Sequence, residues 1–158
     1  MTVRPFLDER GVVRVERNVV IFGWRDAPTA NHILEWHRIG REVAKTYPRA
    51  GACVDVVLRG TPRFTDDMRR ATEKLAADDN VFELGSVHVI LLPGLAGTAV
   101  RAFIGTVLLV TRSKTPNKVV ATIDEAVAWM APRVAPTGWT RAALQTACEE
   151  VMGALEKG

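Results

Sequence analysis

The chain has 158 residues, 47% hydrophobic and 25% charged, a length and balance that fit one folded domain with a real core and exclude a disordered chain. Its net charge of +3 is scattered, with small basic groups only at Arg69-Arg70 and between Arg112 and Lys118, short of the concentrated positive surface of a nucleic-acid binder. The longest largely apolar stretch, 99–110, contains Arg101 and is too short to span a bilayer, so no transmembrane segment is expected.

In chain order, residues 11–16 and 19–24 read as β-branched strands joined at Arg17-Asn18. A helix follows over 30–46. Ile33, Trp36, His37, Gly40, Val43, Ala44 and Tyr47 form its apolar stripe, Glu35, Arg38, Arg41, Glu42 and Lys45 its wet face, and Pro48 ends it. Residues 52–58, apolar except for Asp55, read as a strand buried on both faces. The loop 59–64 leads to a second helix capped by Thr65 or Asp66, with Met68, Ala71, Thr72, Leu75 and Ala76 inward. A third central strand, 87–92, is broken by Pro93-Gly94. The third helix, about 97–112, is expected to bury Val100, Phe103, Ile104, Val107 and Leu108. Residues 118–121 form the last strand, and Thr122 with Glu125 makes a capping box for a short helix through Met130. Pro132, Pro136 and Gly138 read as a linker to a final helix, about 139–156, with an apolar stripe of Leu144, Ala147, Cys148, Val151, Met152 and Leu155.

Strands alternating with helices predict an α/β fold whose mixed, mostly parallel β-sheet is flanked by helices, with an extra C-terminal helix. The expected division is a core over 1–131 and a linker with amphipathic helix over 132–158, packed on the same domain or on a partner. Arg4, Asp8, Glu9 and Arg10 leave no apolar signal-peptide core near the N-terminus, so the expected location is cytoplasmic. The two cysteines, Cys53 and Cys148, show no CxxC spacing, and no HxxxH pair accompanies them; they read as buried structural thiols, with no metal and no cofactor expected.

The stretch Val19-Val20-Ile21-Phe22-Gly23-Trp24-Arg25-Asp26-Ala27 resembles the opening of STAS or SpoIIAA-like (anti-sigma-factor-antagonist-like) domains, where a strand leads through G-x-x-D-A into the first helix. The stretch from Val119 through Thr122, Glu125-Ala126 and Trp129-Met130 is similar to that family's closing strand and helix. The resemblance covers roughly 12–131 and implies a STAS-like fold and a non-enzymatic docking or switch domain, in one branch phosphorylated by a partner kinase at an Asp-Ser-x-Gly motif. The matching positions read Phe64-Thr65-Asp66-Asp67-Met68, without that serine or glycine, so the usual phosphoregulation is not carried over. Thr65 is the one hydroxyl left there, a candidate phosphosite for which an N-cap role is already a complete structural explanation.

Nothing in the chain fills an acid–base or nucleophile template, because no serine, cysteine or carboxylate is placed by the sequence near His32, His37 or His88. His32 and His37 lie about 140° apart on one helix. Gly94, Gly97 and Thr98 stand between a strand and a helix, where backbone N–H groups could hold an anion, but they match neither a P-loop nor a dinucleotide fingerprint. The third helix is the more informative element. Ala102, Gly105, Leu109 and Val110 make it apolar nearly all round, so either it forms an exposed patch or something covers it: the C-terminal helix, a second copy, a protein partner, or a lipid-like ligand lodged near Ala96, Ala99 and Gly105. The expected function is a non-enzymatic regulatory or protein–protein interaction module of the signalling type, a homodimer or a partner-bound chain. Its surface would comprise Arg59, Arg63, Phe64, Thr65, Asp66, Asp67, Leu109 and Val110. The alternative is a binding protein for a small apolar or lipid-like ligand, with no nucleic acid involved in either case.

Overall fold

The computed structural model describes residues 3–60, 65–78, 81–110 and 114–158, with Ala76 described in its backbone only. Among them, six strands form one mixed sheet whose spatial order equals the chain order. Strands β1 (Arg4–Phe6), β2 (Asp8–Glu16) and β3 (Val19–Trp24) make an antiparallel meander. From β3 onward, β4 (Ala52–Val57), β5 (Gly85–Ile90) and β6 (Asn117–Val120) are parallel. The crossovers are helices α1 (Ala30–Thr46), α2 (Asp66–Ala77) and α3 (Gly94–Val110); α4 (Ile123–Val134) and α5 (Arg141–Lys157) follow the last strand. The α/β class and the mixed sheet are as the alternation predicts. Strand β1 was not expected: it is three residues long, contains Pro5 and is interrupted by a register shift at Pro5/Phe6, which an edge strand tolerates.

All six residues of β3, of β4 and of β5 are buried, because helices cover both faces of the sheet. Alternation divides them between two cores. On one face Val20, Phe22, Trp24, Cys53, Val57 and Ile90 pack against Ile33, Trp36, Ile39 and Val43 of α1, Met68 and Ala71 of α2 and Val100 of α3. On the other, Val19, Ile21, Val54, Val56, Val87 and Val89 meet Ala126, Val127, Met130 and Val134 of α4 and Leu144, Ala147, Cys148, Val151 and Leu155 of α5. Successive right-handed crossovers on a sheet built in chain order leave α1, α2 and α3 on one face, and the chain reaches the other only after β6.

The C-terminal helix is therefore not the cover for α3; it lies on the opposite side of the sheet. Two features hold it there. A Cβ on Gly23 would stand 2.8 Å from side-chain atoms of both Val151 and Leu155, so glycine lets α5 sit against β3. Arg25 donates to the carbonyls of Ala154 (2.9 Å) and Leu155 (3.1 Å), two acceptors that a helix C-terminus leaves without intrahelical partners.

The segment expected as a linker from Pro132 is helical further than Pro132 suggests. Helix α4 runs on to Val134, held past the proline by Met130 and Val134, both 0% exposed. A 3-10 turn over Ala135–Thr137 follows. Trp139, expected inside the last helix, precedes it: the ring is buried and its Nε1–H donates to Asn18 Oδ1 (3.0 Å), while Thr140 caps α5 by accepting from Ala143 N (3.0 Å).

Candidate functional site

Three places carry chemistry or exposed surface. The first is an open cleft of ≈790 Å³ at the carboxyl ends of β3 and β4, lined in part by Arg10, Asp26, Thr29, Asn31, Thr65 and Asp67. Open α/β sheets hold ligands outside their carboxyl ends where the strand order reverses, and the order of this sheet does not reverse. The strand-to-helix turn after Trp24 supplies Asp26, and the start of α2 supplies Thr65 and Asp67, so the structure brings these two regions together. Thr65 is the N-cap of α2, its hydroxyl accepting from Met68 N at 3.3 Å, and it is exposed. The side chains of Asp66 and Asp67 are 84% and 80% exposed, lying 4.0 Å from Arg69 and 3.8 Å from Arg70. Carboxylates already answer the positive end of α2, which disfavours a bound phosphate at this helix. Arg59 is exposed after β4, whereas Arg63 and Phe64 lie outside the described residues.

The second place is α3, which departs from expectation. The helix begins at Gly94 rather than 97, so Gly94, Gly97 and Thr98 form its first turn and not a free loop. Gly97 donates its N–H to Pro93 O (3.3 Å), and a Cβ on it would fall 1.7 Å from Leu92 O. Thr98 donates its hydroxyl to Gly94 O (3.2 Å). This turn is spent on packing and internal hydrogen bonds. Gly97 and Val100 are buried, while Phe103 is 40% exposed and Val107 and Leu108 are half-buried, so the expected inner stripe is buried only at its start. Helix α3 lies over β6, a strand of four residues at the sheet edge, and overhangs it. Ala96 and Ala99 are exposed, and a Cβ on Gly105 meets nothing within 4 Å, so these small residues do not enclose a space under the helix. Leu95 is 90% exposed, Leu109 80% and Val110 74%.

The third place was not read from the sequence. Each histidine has a carboxylate partner: His32 Nε2 is 3.1 Å from Asp8 Oδ1, His37 Nε2 is 2.9 Å from Asp78 Oδ2, and His88 Nδ1 is 3.0 Å from Asp55 Oδ2. The last pair is central. Asp55 and His88 are register partners on β4 and β5; Trp24 Nε1–H donates to Asp55 Oδ1, and Asn117 Oδ1 stands 3.5 Å from His88 Nε2. This polar row crosses β3 to β6 on the α1–α3 face, under the Trp36 ring. Asp55 is 6% and His88 7% exposed, and neither lines any described cleft. Hydrogen bonding satisfies groups that would be costly to bury alone. Parallel register is set by tertiary packing, so the one available signal was two polar residues interrupting otherwise apolar strands.

Cys53 and Cys148 are both buried and unpaired. Burial pushes the Cys148 thiol up to about 12, and burial with the Asp55 charge beside it raises the Cys53 thiol well above its usual value. Among the described residues no three His, Cys, Asp or Glu side chains gather as a metal site would require, and no helix is long and apolar enough to cross a membrane. The chain matches no family model, no curated protein and no solved structure.

Proposed function

We propose that the chain is a non-enzymatic regulatory or protein–protein interaction module of STAS-like type, working in the cytoplasm, and that the outward face of α3 is its main contact surface. One observation carries this reading. Leu95, Leu109 and Val110 are exposed on one helix while the chain's own spare amphipathic helix, α5, is used on the far side of the sheet. Large aliphatic side chains grouped on one exposed helix mark contact surfaces in soluble proteins. The cleft beside Thr65 and Asp67 extends the surface, since α2 and α3 start from the carboxyl ends of neighbouring parallel strands.

The STAS-like assignment draws on the strand-to-helix turn at Gly23–Ala27 and on the Thr122–Glu125 cap, where Thr122 accepts from Glu125 N at 3.1 Å. A sheet laid down strictly in chain order, with its crossovers on one face, is compatible with it. In this reading the polar row at Asp55 and His88 is part of the core and performs no chemistry.

Leu109→Glu tests the proposal. The substitution is at an exposed position and leaves the core intact, so the expected result is an unchanged melting temperature with loss of association. Association that survives Leu95→Glu and Leu109→Glu together would contradict it.

A further inference from the structure

We infer that α3 pairs with the α3 of a second copy of this chain, antiparallel, about a twofold axis beside Ala102. The inference rests on the reading that α3 is the contact surface, and it supplies the partner which that reading leaves open.

At 3.6 residues per turn, Gly97, Val100 and Ile104 face the sheet, and the line opposite them is Leu95, Ala99, Ala102, Thr106 and Leu109. Its spacing alternates four and three, the spacing at which two helices mesh along a seam. The helix also matches itself about Ala102: a leucine stands seven residues to each side, Leu95 at 90% and Leu109 at 80% exposure, and a small residue three to each side, Ala99 and Gly105. An antiparallel copy sets Leu95 against Leu109 of the other chain and Ala102 against itself, with small residues where the helix axes cross. A twofold contact needs a patch that is its own complement, and this one is.

The seam itself carries no charge that would set two copies apart. Each copy carries +3, so two copies meet with least repulsion through an uncharged face. The one charged residue of α3, Arg101, is turned back to the sheet end, donating from Nη1 to Ile90 O (3.0 Å) and Leu92 O (3.3 Å). A charged protein partner finds nothing to pair with along the line, and a membrane-surface helix would carry cations beside its apolar face, which α3 itself does not. From Leu95 to Leu109 the seam is about 21 Å long at 1.5 Å per residue. That is short beside a specific interface of ~1,000 Å² or more, so the dimer is reversible and dependent on concentration.

The test uses the full chain. Cys53 and Cys148 are buried, so an introduced surface cysteine is the thiol that reacts. Under mild oxidation Ala102→Cys should crosslink to itself; Leu95→Cys should not, yet a mixture of Leu95→Cys and Leu109→Cys chains should. Sedimentation of the unmodified chain should pass from one to two chains with concentration, and Leu109→Glu should raise the dissociation constant at least ~tenfold with the melting temperature unchanged. A single chain at every concentration overturns the pairing, and so does Leu95→Cys crosslinking to itself as fast as Ala102→Cys. If the single chain instead binds another protein, or lipid vesicles, in a manner lost with Leu109→Glu, self-pairing fails while α3 remains the contact surface. A dimer indifferent to Leu109→Glu overturns both.

Discussion

Asp55 is placed so that Trp24 and His88 both depend on it. Each buried donor loses its acceptor if the carboxylate is removed, and an unsatisfied buried group costs more than a typical hydrogen bond gains. Asp55→Ala is therefore expected to lower stability by about 3 kcal/mol, and Asp55→Asn by less, as measured by urea unfolding. An Asp55→Ala chain as stable as the parent would show that the row is not a structural element. The thiols give a second residue-scale prediction. With the Cys148 pKa at about 12, little of it is thiolate at pH 8, and Cys53 is shifted in the same direction, so neither should react with a thiol reagent in the native chain. Both should react once the chain is unfolded. The sign of the linkage follows. Because the folded Cys148 pKa lies above its ordinary 9.0, its contribution to stability is complete below pH 9 and is lost as pH rises toward 12. Rapid native labelling at pH 8 would contradict the burial.

At the scale of elements, two glycines separate close packing from open space. Gly23→Ala pushes a methyl into Val151 and Leu155, and overpacking of this kind costs about 1–3 kcal/mol. Gly153, within α5, would place a Cβ in open space, so Gly153→Ala should stabilise the chain by about 0.5–1 kcal/mol through helix propensity alone. Thermal unfolding of the two variants should move in opposite directions; shifts of the same sign would refute the placement of α5 on β3. The sequence made strands β3 to β5 legible because burial on both faces leaves unbroken apolar runs, and the stripes of α1 and α5 announced that each helix buries one side. It could not say which face α5 covers, since that depends on where the chain stands after β6. It could not place Asp55 beside His88, because the register between parallel strands is not encoded in either strand alone. The uniform apolarity of α3 concealed how little of it is buried: Phe103, Val107 and Leu108 looked like core positions, but β6 is too short for the helix above it to bury them all.

For the whole molecule, the sheet has two unequal coverings. The α4–α5 side is closed, with Ala126, Met130, Val134, Leu144, Cys148 and Val151 at 0% exposure. The opposite side ends in a helix whose outward line is apolar and exposed. Of the expected interaction surface, Thr65 and Asp67 share a cleft, while Leu109 and Val110 lie at the far end of α3 from the strand that launches it. The contact along α3 therefore stands on its own, with the cleft as an extension near its start. Native mass spectrometry of the chain, gently purified from its own source, tests this central claim most directly when run beside a Leu95→Glu, Leu109→Glu double variant. The account predicts an assembly larger than one chain for the unmodified protein and a single chain for the variant. Single chains in both samples across the whole concentration range up to the highest attainable, or the same assembly in both, would contradict it.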